Sequence, residues 1–141
     1  MLNSTALLTD HYELTMVRAA MRSGAAFRHS LFELFPRRLP AGRRYGVVAG
    51  VGRALEAIEA FTFDDETISF LLSHGIIDDK VAEWLGGYRF RGSIWGYPEG
   101  EIYFPGSPVM IVEGSFAEGV ILETVLLSVY NYDSAVASAA S

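Results

Sequence analysis

The sequence predicts an α+β fold, with about five helices around a small, mostly antiparallel sheet of three to five strands. Three observations predict it. First, short apolar and aromatic runs (Ile94, Trp95 and Tyr97; Ile102 to Phe104; Val109 to Val112) are separated by Pro98-Glu99-Gly100 and Pro105-Gly106-Ser107-Pro108. Proline and glycine fix tight turns there, so these runs read as a compact antiparallel meander. Second, near Gly114 the apolar period changes from 2 to about 3.6. Leu122, Val125, Leu126, Val129, Tyr132 and Val136 then fall on one helical stripe, with few polar residues, as in a largely buried helix. Third, the chain upstream carries helix-start signals, each followed by apolar residues at helical spacing.

In order along the chain, Asp10 and Glu13 have capping-box spacing and predict a helix from about His11, with Leu14, Val17 and Met21 on one face and a stop at Gly24. Tyr12 falls in its first turn, where the helix dipole favours anions. Ser30 to Phe35 reads as a short strand ended by Pro36. The loop Arg37-Arg38-Leu39-Pro40-Ala41-Gly42-Arg43-Arg44 holds four arginines in eight residues of an acidic chain. It suits either a solvated basic surface or a phosphate clamp, because the guanidinium fork matches phosphate oxygens. Arg37 and Arg38 follow directly on the strand end, whereas Arg43 and Arg44 lie in a looser stretch.

Gly50-Val51-Gly52-Arg53-Ala54-Leu55 lacks the last glycine of a dinucleotide loop and has no Walker lysine. Its glycines instead fit close packing at the entry to a helix over Ala54 to Ala60, with Leu55 and Ile58 inward. Asp64-Asp65-Glu66 opens a helix to Ser73. Asp78-Asp79 opens another to Leu85, with Val81, Trp84 and Leu85 inward and Gly86-Gly87 as its end. Glu99 and Glu113 read as turn and strand-edge residues. His11 and His29 have no partner at metal-ligand spacing, and His74 falls at a predicted helix end where the dipole favours it, so no metal site is predicted.

Composition bounds the function. With 141 residues, 50% of them hydrophobic and 13% aromatic, the chain can bury one domain's core. No apolar run reaches the ~18 residues of a membrane span, and no signal peptide is expected. There is no cysteine, which removes disulfides and thiolate chemistry and fits a cytoplasmic protein. A net charge of −6 argues against broad nucleic-acid binding.

Three motifs, in order and at consistent separations, carry a family resemblance. They are Thr9-Asp10-His11-Tyr12-Glu13-Leu14-Thr15-Met16, then Phe32-Glu33-Leu34-Phe35-Pro36-Arg37-Arg38-Leu39-Pro40, then the stretch from Tyr88 to Tyr132 with its P-E-G, F-P-G-S-P, V-E-G and E-T-V-L-L segments. The chain resembles the N-terminal region of nicotinate phosphoribosyltransferases over nearly its whole length. The resemblance implies the N-terminal α+β domain of a type II phosphoribosyltransferase, occupying residues 1–141. Its last helix would lead into a larger α/β barrel that this chain lacks. It implies formation of nicotinate mononucleotide from nicotinate and phosphoribosyl pyrophosphate, coupled to ATP hydrolysis through a phosphorylated histidine. ATP and Mg2+ would serve the full-length enzyme, which belongs to the ligases, and would not bind this fragment alone.

By the same resemblance, Tyr12 stacks on the pyridine ring, with Asp10 beside it, in a site completed across a homodimer interface. Arg37 and Arg38 match arginines assigned to phosphate. None of the three histidines matches the phosphorylated one, so no catalytic residue is expected here and the fragment alone should be inactive. A nicotinamide or quinolinate phosphoribosyltransferase shares this architecture. A non-enzymatic α+β interaction domain is the remaining alternative. The last helix runs into Ala135, Ala137, Ala139 and Ala140 without a stop signal. Such a helix is expected to leave an apolar patch exposed along Val125, Val129, Tyr132 and Val136.

Overall fold

The computed structural model describes residues 4–141. A 3-10 turn at Ala6–Leu8 leads into α1 (His11–Ser23), which Asp10 caps and Gly24 ends in a left-handed conformation at φ 77°. Then follow β1 (His29–Leu34), the arginine loop, β2 (Gly46–Val47), α2 (Val51–Glu59), α3 (Asp65–Ser73) and α4 (Asp79–Gly86). The chain closes with β3 (Ser93–Gly96), β4 (Ile102–Tyr103), β5 (Met110–Ser115), α5 (Phe116–Val120) and α6 (Glu123–Ala140). The predicted α+β class holds. Helices α3 and α4 start where their acidic residues place them: Asp64 accepts the Thr67 N–H at 2.8 Å and Asp78 the Val81 N–H at 3.2 Å.

The predicted meander does not form. β3 and β5 are antiparallel neighbours, but β1 flanks β5 on its other side, giving the order β1-β5-β3. β4 leaves this sheet and pairs with β2, Gly46 opposite Tyr103 and Val47 opposite Ile102. The backbone shows why. Val48 N–H donates to the Glu101 carbonyl and Gly100 N–H to the Val48 carbonyl, both at 2.8 Å. The excursion from Pro98 to Pro108 is thereby joined to the segment before α2. Proline and glycine mark where a strand stops and do not specify which neighbour it meets.

The terminal helical region is also divided. α5 is a single capped turn, in which the Ser115 hydroxyl donates to Glu118 at 2.6 Å, and the chain turns at Ile121 and Leu122 before α6. Leu122, Val125 and Leu126 enter the core as predicted, but Tyr132 is 67% exposed and Val136 55% exposed. The expected exposed patch fails at Val125, which is buried, and keeps only Tyr132 and Val136 at its far end; beyond Leu126 the inward line runs instead through Tyr130, Ser134 and Ser138. The two serines are there for a backbone reason. Val47 N–H donates to Ser138 Oγ at 2.8 Å and Ala49 N–H to Ser134 Oγ at 3.1 Å, satisfying strand-edge donors that β4 leaves open. Only small side chains allow β2 to lie this close to the helix.

The core lies between the inner face of the three-stranded sheet and the helices. Phe61, Val81, Leu85, Ile121 and Leu122 are fully enclosed, and Phe61 meets Tyr88 edge-on with ring centres 5.8 Å apart. In α2, Leu55 points outward, contrary to its predicted inward place, and Ala54 takes the buried position beside Ile58. Gly50 opens α2 at φ 92°, and a side chain there would meet Asp133 and Val129 of α6.

Candidate functional site

The first turns of α1 and α6 meet. Asp10 and Tyr12 stand at the start of α1, both exposed, as the capping spacing places them. Tyr12 lies against Glu123 and Thr124 at the start of α6. Partial burial and the Glu123 carboxylate push its hydroxyl up to about 12, so it stays protonated at neutral pH. Beneath it, Glu13 is completely buried. Its carboxylate accepts the Thr9 hydroxyl and the Thr124 N–H, the latter at 2.9 Å, and burial raises its pKa. Thr124 Oγ also lies 3.3 Å from Asp10 Oδ2. Tyr12 therefore presents an aromatic face on a well-anchored base, with a carboxylate two residues away.

The arginine loop forms one wall of a cleft of about 650 Å³ against α6. Arg37, Arg38 and Arg43 line it, facing Leu127, Asn131 and Ala135. The base of the loop is held by Gly106 N–H donating to the Pro36 carbonyl and Val109 N–H to the Leu34 carbonyl, both at 2.8 Å. Sequence spacing pairs Arg37 with Arg38 and sets Arg43 apart; the fold instead brings Arg43 into the same cleft, half-buried, and leaves Arg44 outside it. The turn at Pro40, where Arg43 N–H bonds the Pro40 carbonyl at 3.1 Å, returns the chain to the cleft.

The two regions are joined by one row of residues that winds along α6. Glu123, Leu127, Asn131, Ala135 and Ala139 recur every four residues on α6, all exposed, and the last four line the cleft. At a rise of ~1.5 Å per residue, Glu123 beside Tyr12 is about 12 Å along the axis from Asn131 among the arginines. An aromatic platform and a set of phosphate-type donors thus lie along one ridge.

The other residues singled out in the sequence have structural partners. His29 meets Glu113 at 2.7 Å across the sheet, and His74 Nδ1 lies 2.8 Å from the Phe70 carbonyl. Glu99 does more than close a turn: it accepts the N–H groups of Gly50 and Val51, each at 2.8 Å, and so caps α2 from a distance. Among the described residues no three metal-ligating side chains converge, and no helix is long and apolar enough to cross a membrane.

Residues 7–131 match the family model described as the nicotinate phosphoribosyltransferase N-terminal domain. The chain is 58% identical over 135 residues to nicotinate phosphoribosyltransferase pncB1 of Mycobacterium tuberculosis, covering 96% of this chain and 30% of that protein. Against the nicotinate phosphoribosyltransferase of Bacillus subtilis it is 37% identical over 139 residues, 99% of this chain and 28% of that one. The crystal structure of human nicotinic acid phosphoribosyltransferase superposes with a TM-score of 0.86 at 34% identity, covering 94% of this chain and 27% of that chain. A nicotinate-nucleotide pyrophosphorylase from Pyrococcus furiosus shares the fold, with a TM-score of 0.62 at 22% identity. The chain thus spans about 30% of the length of the relatives it matches. With nearly all its described elements inside the matched segment, the chain belongs to the nicotinate phosphoribosyltransferase N-terminal domain family.

Proposed function

We propose that this chain is the N-terminal part of an enzyme that joins nicotinate to phosphoribosyl pyrophosphate. The pyridine nitrogen attacks the anomeric carbon, the bond from that carbon to the pyrophosphate oxygen breaks, and pyrophosphate leaves with the electron pair. The nucleophile is the substrate itself, so the protein acts by positioning and by stabilising separated charge. Tyr12 supplies a stacking face for the ring and Asp10 a neighbouring carboxylate. Arg37 and Arg38, with Arg43 beside them, supply donors for phosphate oxygens. The observation that carries this reading is the shared ridge of α6, which connects the Tyr12 platform to the arginine cleft.

In this reading the full-length protein is a cytoplasmic homodimer of the ligase class, with the ring site completed across its interface. ATP and Mg2+ supply coupled hydrolysis in the remainder of the protein. His11, His29 and His74 do not line the arginine cleft, and none is assigned the phosphorylated role. The test is product formation by the full-length protein from nicotinate and phosphoribosyl pyrophosphate, with and without ATP, and with nicotinamide or quinolinate as competing substrates. Nicotinate mononucleotide formed fastest from nicotinate, and stimulated by ATP, is the expected result. Preference for nicotinamide or quinolinate would overturn the substrate assignment, and no product from any of them would overturn the enzyme.

A further inference from the structure

Glu13 is the one buried charged side chain among the described residues. Its oxygens collect donors from two distant parts of the chain. Oε2 accepts the Thr9 hydroxyl and the Asp10 N–H, the latter at 3.4 Å; Oε1 accepts the Thr124 N–H at 2.9 Å and the Thr124 hydroxyl. An ordinary capping box needs only the contact to its own N-cap. The second pair of bonds ties α1 to α6 across 111 positions of sequence.

The residues so tied are those next to the substrate platform. Asp10 is the N-cap that Glu13 holds, Tyr12 precedes Glu13 directly, and Glu123 and Thr124 flank the Tyr12 hydroxyl. We infer that Glu13 and Thr124 form a clamp that fixes Tyr12 and Asp10 for ring binding, and that both are positioning residues. This rests on the reading of Tyr12 as the ring platform. The clamp also decides what Asp10 offers. The Thr124 hydroxyl has one proton, and its oxygen is closer to Glu13 than to Asp10, which stands at 3.3 Å. Glu13 takes that proton, and the exposed Asp10 carboxylate keeps its acceptor capacity for a ligand. A clamp of this kind matters because displacing a binding group by about 1 Å can cost ~100-fold in rate.

Thr124 provides the test, because its hydroxyl can be removed at constant shape. In the full-length protein, Thr124→Val should raise the nicotinate KM about 10-fold while the phosphoribosyl pyrophosphate KM stays within about twofold. Thr124→Ser keeps the hydroxyl and should restore the nicotinate KM. In a Tyr12→Ala background, Thr124→Val should have little further effect, since coupled residues are not additive. Glu13→Gln, measured alongside, should show the same split between the two substrates; if it fails to fold, the Thr124 pair carries the test. An equal rise in both KM values, or effects of Tyr12→Ala and Thr124→Val that add, would overturn the clamp. Activity sensitive to Tyr12→Ala and indifferent to Thr124→Val would remove the clamp alone. A nicotinate KM unchanged by Tyr12→Ala would remove the ring platform, and the clamp with it.

Discussion

Tyr12 has a half-exposed ring and a hydroxyl held against Glu123, so its two parts can be tested separately. Tyr12→Ala in the full-length protein should lower kcat/KM for nicotinate about 10-fold or more, because an aromatic pair contributes ~0.5–1.5 kcal/mol beyond its buried area and the ring's area is lost too. Tyr12→Phe keeps the ring and should be much milder. A Phe variant as damaged as the Ala variant would place the role on the hydroxyl and end the stacking assignment. Glu13 sets a second test at this scale. Burial raises its pKa above 4.5, so between that value and the raised one the folded state holds more protons than the unfolded state. Stability therefore falls as pH rises through that window. Urea midpoints measured across mildly acidic pH should show this slope in the native protein. Glu13→Gln should flatten it, while lowering overall stability by about 1–3 kcal/mol because its amide cannot accept all four donors.

At the scale of elements, the joint between α2 and α6 depends on side chains far apart in sequence. Glu99→Ala would leave the Gly50 and Val51 N–H groups without their carboxylate and should cost about 1–2 kcal/mol, measured as a fall in Tm. Ser138→Val should be worse than Ser138→Ala, since it both removes the acceptor for Val47 N–H and fills the space that β2 occupies. These contacts also show where sequence reading stops. The boundaries of α1, α3 and α4 were legible because their signals are local: a cap, a period and a glycine within a dozen residues. The pairing of β4 with β2 and the inward serines of α6 were not, because each depends on a partner more than fifty residues away. In the candidate site, spacing placed Asp10 and Tyr12 at a helix start, whereas their proposed ligand roles came from the family resemblance and not from any local signal. Arg43 was missed because the turn after Pro40, which returns it to the cleft, leaves no periodic signal.

At the scale of the whole molecule, the arginine cleft is an assembly of a loop, the β4–β5 connection and α6. In the full-length protein, Arg37→Ala or Arg38→Ala should weaken phosphoribosyl pyrophosphate more than nicotinate. The effect should be ~10- to 100-fold, since a hydrogen bond to a charged group contributes ~1.5–3 kcal/mol. Arg37→Lys should recover only part of this, because a point charge cannot reproduce the fork. The position of Arg43 in the cleft predicts a loss of the same kind, whereas Arg44→Ala should act mildly and chiefly at low salt. Substrate-resolved kinetics on the four alanine variants decide it: small and equal effects would mean a solvated basic surface.

The excursion that carries β4 to β2 has a consequence in time. Val47, Ala49, Gly50 and Val51 receive their acceptors from residues 48 to 91 positions later in the chain. Closing loops of that length is slow compared with forming a helix turn, and it cannot be rewarded until both ends are in place. During synthesis, residues 46–51 emerge well before Glu99, Ser134 and Ser138 exist. Pulsed hydrogen exchange during refolding should find the α1 amides protected early and these four among the last.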